Sequence, residues 1–362
     1  MNGLEFSAFE SMLDNAAKRR LIRADAVRDA VENGMVMWGY GWKGRALSAF
    51  ARQCGFAVSV YDVDPNSRAA AERDGFRTLS DKPSAGPIVL GATQVQSELA
   101  KQLGERAIFF QEVAYHLNMP VLANHTREYA DFVSENPRSV FDVYAKLKGV
   151  SAERYKNLVT FRVSCDARDL SDSNSHVSTM WFDEGLLSKK DSIHKFLDVG
   201  AFDGDTIRSA RRFLGIDEAI GLEISADLIN SMVELHDGTF KLRPLNVGAW
   251  NVKCFMREAA VGDGMMTLEA GEYGSVACDL IDNIVLSKID FIKMDIEGAE
   301  HQALEGAQRV ISTYRPCLAV AAYHKPRDIV EIFSSLEKYQ YQDVRFAHYS
   351  QCNDDSIFYF LR

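Results

Sequence analysis

Apolar residues along this chain fall into two series in which short runs alternate with helical patterns. The first follows a helical stretch over 5–33, where Leu13, Ala16, Ala17, Leu21 and Ile22 recur at helical spacing among charges. It then reads as strands at 35–38, 57–61, 87–90 and 107–110, with a helix over 45–54. Strand and helix in alternation predict a parallel sheet over roughly 34–120. From about 121 to 190 the pattern weakens to helical stretches at 138–147 and 152–159 and a polar loop at 171–175. The second series predicts parallel strands at 196–199, 219–222, 243–247, 291–294 and 318–322, with a hairpin over 252–262 and 265–269 turning at Gly262-Asp263-Gly264. The fold class expected is α/β, with two Rossmann-like domains. They span 1–125 and 191–362, joined by a helical connector over 126–190.

The 362 residues exceed what one core usually serves, in agreement with two domains. A net charge of -10 argues against nonspecific nucleic-acid binding, because the chain as a whole repels phosphate. Six scattered cysteines without a C-x-x-C pair suit reduced thiols. The first residues show no basic region followed by an apolar run, and no stretch of about 18 apolar residues occurs, so a cytoplasmic protein without a membrane span is expected. A homo-oligomer remains compatible with all of this.

Chemistry concentrates where strands end. The stretch Phe196-Leu197-Asp198-Val199-Gly200-Ala201-Phe202-Asp203-Gly204-Asp205-Thr206 is a strand, a glycine loop and a helix start. Gly200 and Gly204 let a ligand approach the backbone, beside Ala201, and free amides near Thr206 can receive a carboxylate. Asp198 offers a charge for an ammonium. Glu223, ending the next strand, suits a ribose diol, and Asn246 and Val247 would face an adenine. A ligand with an amino-acid end and a ribose end fits both positions, and S-adenosylmethionine has both. The alternative is a loop whose glycines serve packing only.

The run Phe291-Ile292-Lys293-Met294-Asp295-Ile296-Glu297-Gly298-Ala299-Glu300 places a lysine inside an apolar strand and three acids just past it. Asp295 is expected beside the transferred group with Lys293, and Asp295 with Glu297 could hold a divalent metal. Glu300 reads more simply as a helix-start acid. His324, past the fifth strand, is placed to take a proton from an acceptor.

These pieces resemble the FkbM family of S-adenosylmethionine-dependent methyltransferases over roughly residues 140–362. The resemblance rests on 198–206, on the K-x-D-x-E-G-A-E run at 293–300 followed by Ala303-Leu304-Glu305-Gly306-Ala307, and on Arg315-Pro316. It implies a class I methyltransferase fold with a mostly parallel sheet. It also implies O-methylation of a small-molecule hydroxyl on a sugar, polyketide or other secondary metabolite. Tyr323-His324 resembles a variant of some members where others carry an acid.

In the first series Gly39, Gly41 and Gly44 open a helix and Asp62 lies 18 residues past Gly44, the context of a dinucleotide fingerprint. Lys43 and Arg45 add positive charge there, while Tyr40 and Trp42 are bulky for a pyrophosphate cradle. A nucleotide-linked sugar acceptor, NAD in an oxidoreductase, a noncatalytic nucleotide sensor and a docking unit all remain open.

Overall fold

The computed structural model describes residues 3–121, 124–170, 180–235, 240–262, 265–269 and 274–362. The chain forms two compact units, Met1–Asn174 with His348–Asp354, and Ser175–Ala347 with Asp355–Arg362. The loop expected at 171–175 and residues 263 and 264 of the hairpin turn lie outside the described residues.

In the first unit the helix Gly3–Glu32 leads into β1 (Met35–Trp38), β2 (Val58–Tyr61), β3 (Arg77–Thr78), β4 (Ile88–Leu90) and β5 (Ala107–Phe109). These form one sheet in the order β3-β2-β1-β4-β5, and every pair is parallel. The helix after β1 spans Trp42–Gln53, three residues earlier at its start than the hydrophobic spacing suggested. A two-stranded ribbon, β6 (Pro120–Val121) and β7 (Asn124–His125), follows.

The separate connector expected over 126–190 is not what the chain builds. Its helices Thr126–Glu135, Pro137–Tyr144 and Gly149–Ser164 belong to the first unit. Aromatic packing is the reason: Phe9 of the first helix stacks on Tyr144 at 5.2 Å and meets Phe141 edge-on at 5.4 Å. Arg19 adds an ion pair to Asp169 at 2.9 Å. The rest of that span, from Ser175, falls in the second unit.

The second unit contains β8 (Lys195–Val199), β9 (Glu218–Glu223), β10 (Lys241–Asn246), β11 (Gly248–Ala249), β12 (Cys254–Gly262), β13 (Met265–Glu269), β14 (Val276–Asp279), β15 (Phe291–Met294), β16 (Cys317–Ala321), β17 (Asp343–His348) and β18 (Ser356–Leu361). The main sheet runs β10-β9-β8-β15-β16-β18-β17, with β18 antiparallel to β16. This is the mostly parallel α/β sheet expected of the second series. The terminal pair β17 and β18 was not expected from the sequence. All six positions of β18 are buried, so its period-two signal is lost. The hairpin of β12 and β13 forms as expected, antiparallel, beside the main sheet in a four-stranded sheet with β11 and β14.

The order of the main sheet reverses between β8 and β15. β9 and β10 follow outward on one side and β16 on the other, which leaves a crevice at the carboxyl ends of β8 and β15. The floor beneath it is rigid: Phe196 and Phe291 are register partners and stack at 4.9 Å. Among the described residues no helix is long and apolar enough to cross a membrane.

In the first unit the glycine loop serves close packing. A Cβ on Gly44 would sit 2.1 Å from the Gly39 carbonyl oxygen, whereas one on Gly41 would meet nothing within 4 Å. Gly44→Ala should therefore cost about 1–3 kcal/mol of stability, and Gly41→Ala close to none. Denaturant unfolding of the two variants checks this, and equal stabilities would refute it.

Candidate active site

Lys293 and Asp198 are register partners on neighbouring parallel strands, so their side chains emerge side by side at the crevice. Both are buried. Lys293 Nζ lies 3.1 Å from Asp198 Oδ1 and donates a hydrogen bond to the Gly200 carbonyl at 2.6 Å. Burial pushes the Asp198 carboxyl up to about 7 against the pull of Lys293. Burial works against the Lys293 cation, but Asp198 and Asp295 outweigh it and raise its pKa. The ammonium is thus the settled charge of the pair, and Asp198 titrates near neutrality. This removes Asp198 from direct contact with a ligand: it is fully enclosed and braces Lys293 instead.

Above this pair lies a cavity of about 380 Å³ lined by Gly200, Thr206, Glu223, Val247, Lys293, Asp295 and Glu297 among others. Gly200 adopts φ +79°, and a Cβ there would fall 1.9 Å from the Asp295 carbonyl oxygen, so the loops after β8 and β15 touch through this glycine. Glu223 is held by two amides. Its Oε2 accepts from Phe202 N at 3.0 Å and its Oε1 from Ser225 N at 2.9 Å. Each oxygen keeps a lone pair for a ligand hydroxyl.

Other expected cofactor contacts stand one layer back. Ala201 is fully buried. Gly204 starts the helix Asp205–Leu214 at φ +85°, with Met232 and Leu235 where its Cβ would point. Asn246 donates to the carbonyls of Glu223 (3.0 Å) and Ile224 (2.7 Å), tying two strand ends together, while its neighbour Val247 lines the cavity. Trp181, Phe202 and Asp205 line the cavity and were not foreseen. Trp181 lies with its ring 5.2 Å from Lys293 Nζ. It stands 14 residues before β8, with no spacing to signal it. Phe202 takes a left-handed backbone at φ +48°, which a sequence does not reveal.

Behind Asp295 sits the acidic cluster. The Tyr323 hydroxyl donates to Asp295 Oδ1 at 3.1 Å. His324 Nε2 lies 3.4 Å from both Asp295 Oδ1 and Glu297 Oε2, and His324 Nδ1 lies 2.8 Å from Glu300 Oε1. Burial alone would lower the His324 pKa. The charge and hydrogen bond of Glu300, with Asp295 and Glu297, push it up to about 10 instead. His324 is therefore already protonated at neutral pH and is 3% exposed, so it does not serve as the proton acceptor expected of it. Asp295, by contrast, lines the cavity. Burial raises Glu297 to about 7.

In the first unit the fingerprint residues are largely engaged with one another. Asp62 accepts from Tyr40 N (2.7 Å) and Asp64 N (2.9 Å), and Lys43 is buried against Asp354. Gly39 and Gly44 are packed, leaving Gly41 as the open position at the helix start.

Residues 275–342, which include β15, the acidic run and His324, match the family model described as Methyltransferase FkbM domain. The chain carries an FkbM methyltransferase domain. The family model's description makes this a methyltransferase domain. The crystal structure of Methyltransferase FkbM from Methylobacillus flagellatus KT shares the fold of the whole chain. Its TM-score is 0.75 at 17% identity, over 98% of this chain and 100% of that one. A SAM dependent methyltransferase from Aquifex aeolicus overlays with a TM-score of 0.31 at 15% identity, over 54% of this chain and 96% of that one. Among curated proteins, Adenosylhomocysteinase of Pyrococcus abyssi is 40% identical over 75 residues, or 20% of this chain. The match spans 18% of that relative's length, about a fifth.

The Asp198 carboxyl carries a pH signature. A folded pKa raised to about 7, against about 3.9 when unfolded, favours the protonated form in the fold. Its contribution to stability is complete below the unfolded value and is lost as pH climbs from about 4 to about 7. Asp198→Asn should remove that part of the slope. Melting temperatures of both proteins across this range test it, and identical slopes would rule it out.

Proposed function

We propose that the FkbM domain methylates a hydroxyl of a small molecule, with a sugar or sugar nucleotide as the leading acceptor class. The observation that carries this reading is the single cavity wall on which Glu223 and Asp295 both face inward, one at each side of the β8 loop. S-adenosylmethionine, when bound, supplies a methyl group already activated on a sulfonium. The residues fit it: Glu223 has its carboxylate oriented by two amides for a ribose diol, and Gly200 lines the same cavity with bare backbone. Asp205, which lines the cavity where Asp198 does not, is the acid for the donor's ammonium. Val247 offers an apolar contact to the adenine.

The chemistry asked of the protein is alignment and proton removal. Asp295 accepts the proton of the acceptor hydroxyl, and the Tyr323 hydrogen bond holds its carboxylate in one orientation. Lys293 keeps the β8 loop in register through the Gly200 carbonyl. All six cysteines are free, which suits a reducing, cytoplasmic setting.

Turnover is tested by incubating the protein with the donor and a panel of sugars, sugar nucleotides and other hydroxyl compounds, following S-adenosylhomocysteine. A nicotinamide absorbance change without that product would favour an oxidoreductase instead. Glu223→Ala should weaken donor binding by about 1–3 kcal/mol in calorimetry, and unchanged affinity would remove Glu223 from the site. Asp295→Asn should slow turnover by about a hundredfold to ten-thousandfold while S-adenosylhomocysteine still binds. Full activity in this variant would discard Asp295 as proton acceptor.

A further inference from the structure

The acidic cluster at the ends of β15 and β16 holds an arrangement that methyl transfer alone does not require. One ligand atom each from Asp295, Glu300 and His324 lies within 4.8 Å of the other two. Ligands about 2.2 Å from a common cation stand about 3 Å apart when adjacent and about 4.4 Å apart when opposite. The three groups are close enough to converge on one cation with small side-chain adjustments. Glu297, expected earlier to share a metal with Asp295, is not part of this set.

An independent observation points to the same place. Glu300 is 1% exposed, and its Oε1 accepts from Ile296 N at 2.9 Å and Gly298 N at 3.4 Å. Its Oε2 is buried and has no hydrogen-bond partner among the described residues. An enclosed carboxylate oxygen without a donor is costly, and a cation beside it removes that cost. The surroundings also orient the set. The Tyr323 hydroxyl bonds Asp295 as outer groups commonly bond metal-ligating carboxylates. Gly298, at φ +94°, keeps the backbone close to the His324 Cβ, which would lie 3.6 Å from a side chain there.

We propose that Asp295, Glu300 and His324 bind one divalent cation of the Mn²⁺ or Mg²⁺ class at the wall of the donor cavity. Two carboxylates and one imidazole form a mostly oxygen donor set, which suits these ions better than thiolate-seeking ones. Asp295 is the ligand that also lines the cavity, so a cation held there would stand beside the acceptor. An acceptor oxygen bound there would ionise more readily. This role rests on the methyl-transfer reading; the binding of the cation does not.

The test uses the full chain stripped with EDTA and titrated with Mn²⁺, following the free-ion electron paramagnetic resonance signal and calorimetric heat. One Mn²⁺ per chain is expected, displaced by excess Mg²⁺. Asp295→Asn, Glu300→Gln and His324→Gln should each weaken it about tenfold or more. Asp295, which is partly exposed, decides the matter should either buried variant fail to fold. Absence of saturable Mn²⁺ binding, or binding that all folded variants retain, overturns the site. S-adenosylhomocysteine calorimetry on the same samples separates the two ideas. Product binding without Mn²⁺ binding defeats only the cation site. Mn²⁺ binding lost in Asp295→Asn supports the site even where no product binds.

Discussion

The buried pairing of Lys293 with Asp198 is the constraint on which the catalytic unit depends. Two charges removed from water are tolerable only when each meets the other and the remaining donors find acceptors. The parallel register of β8 and β15 puts the two side chains abreast, and the Gly200 carbonyl takes another Lys293 hydrogen. The lysine therefore pins the two loops that make the cavity. Gly200 can sit against the Asp295 carbonyl because it has no side chain, so the strand ends and the loops are set by one arrangement.

From that anchor the site divides into a wall that lines the cavity and a layer that holds the wall. Glu223, Asp295 and Val247 face the cavity. Asn246, Gly204 and Ala201 support these positions through hydrogen bonds and close packing. The acids behind Asp295 are a second electrostatic problem. Three carboxylates around His324 demand a positive charge, met by a proton on the imidazole in the bare protein and by a cation in the arrangement proposed above. In the bare protein His324 is a source of positive charge rather than a base, and beside the cation it would give up that proton and ligate as a neutral imidazole.

The first unit shows how the same motif can serve another end. Its strand, glycine loop and helix are in the right order, yet the polar groups expected to meet a nucleotide are spent internally. Lys43 faces Asp354, and Asp62 is bonded by backbone amides. The glycines permit backbone approaches between β1, the following helix and the loop after β4. A fingerprint is a statement about backbone geometry, and backbone geometry can be used for packing as well as for phosphate.

Much of this was legible in the chain itself. Hydrophobic periodicity located most of the parallel strands of both sheets, because buried parallel strands read as apolar runs, but it missed β3, whose two residues Arg77 and Thr78 carry no such run. The loop at Gly200, the acid at Glu223 and the odd lysine in an apolar strand were visible for the same local reason. What the sequence could not carry was partnership across distance. That Asp198 serves Lys293, that His324 is held protonated, and that helices 126–164 pack on the first helix rather than link two bodies are outcomes of register and packing. A residue's type limits which interactions it can make. Only the fold decides which partner arrives within 3 Å and how much water is left between them, and those two quantities set the charge each group finally bears.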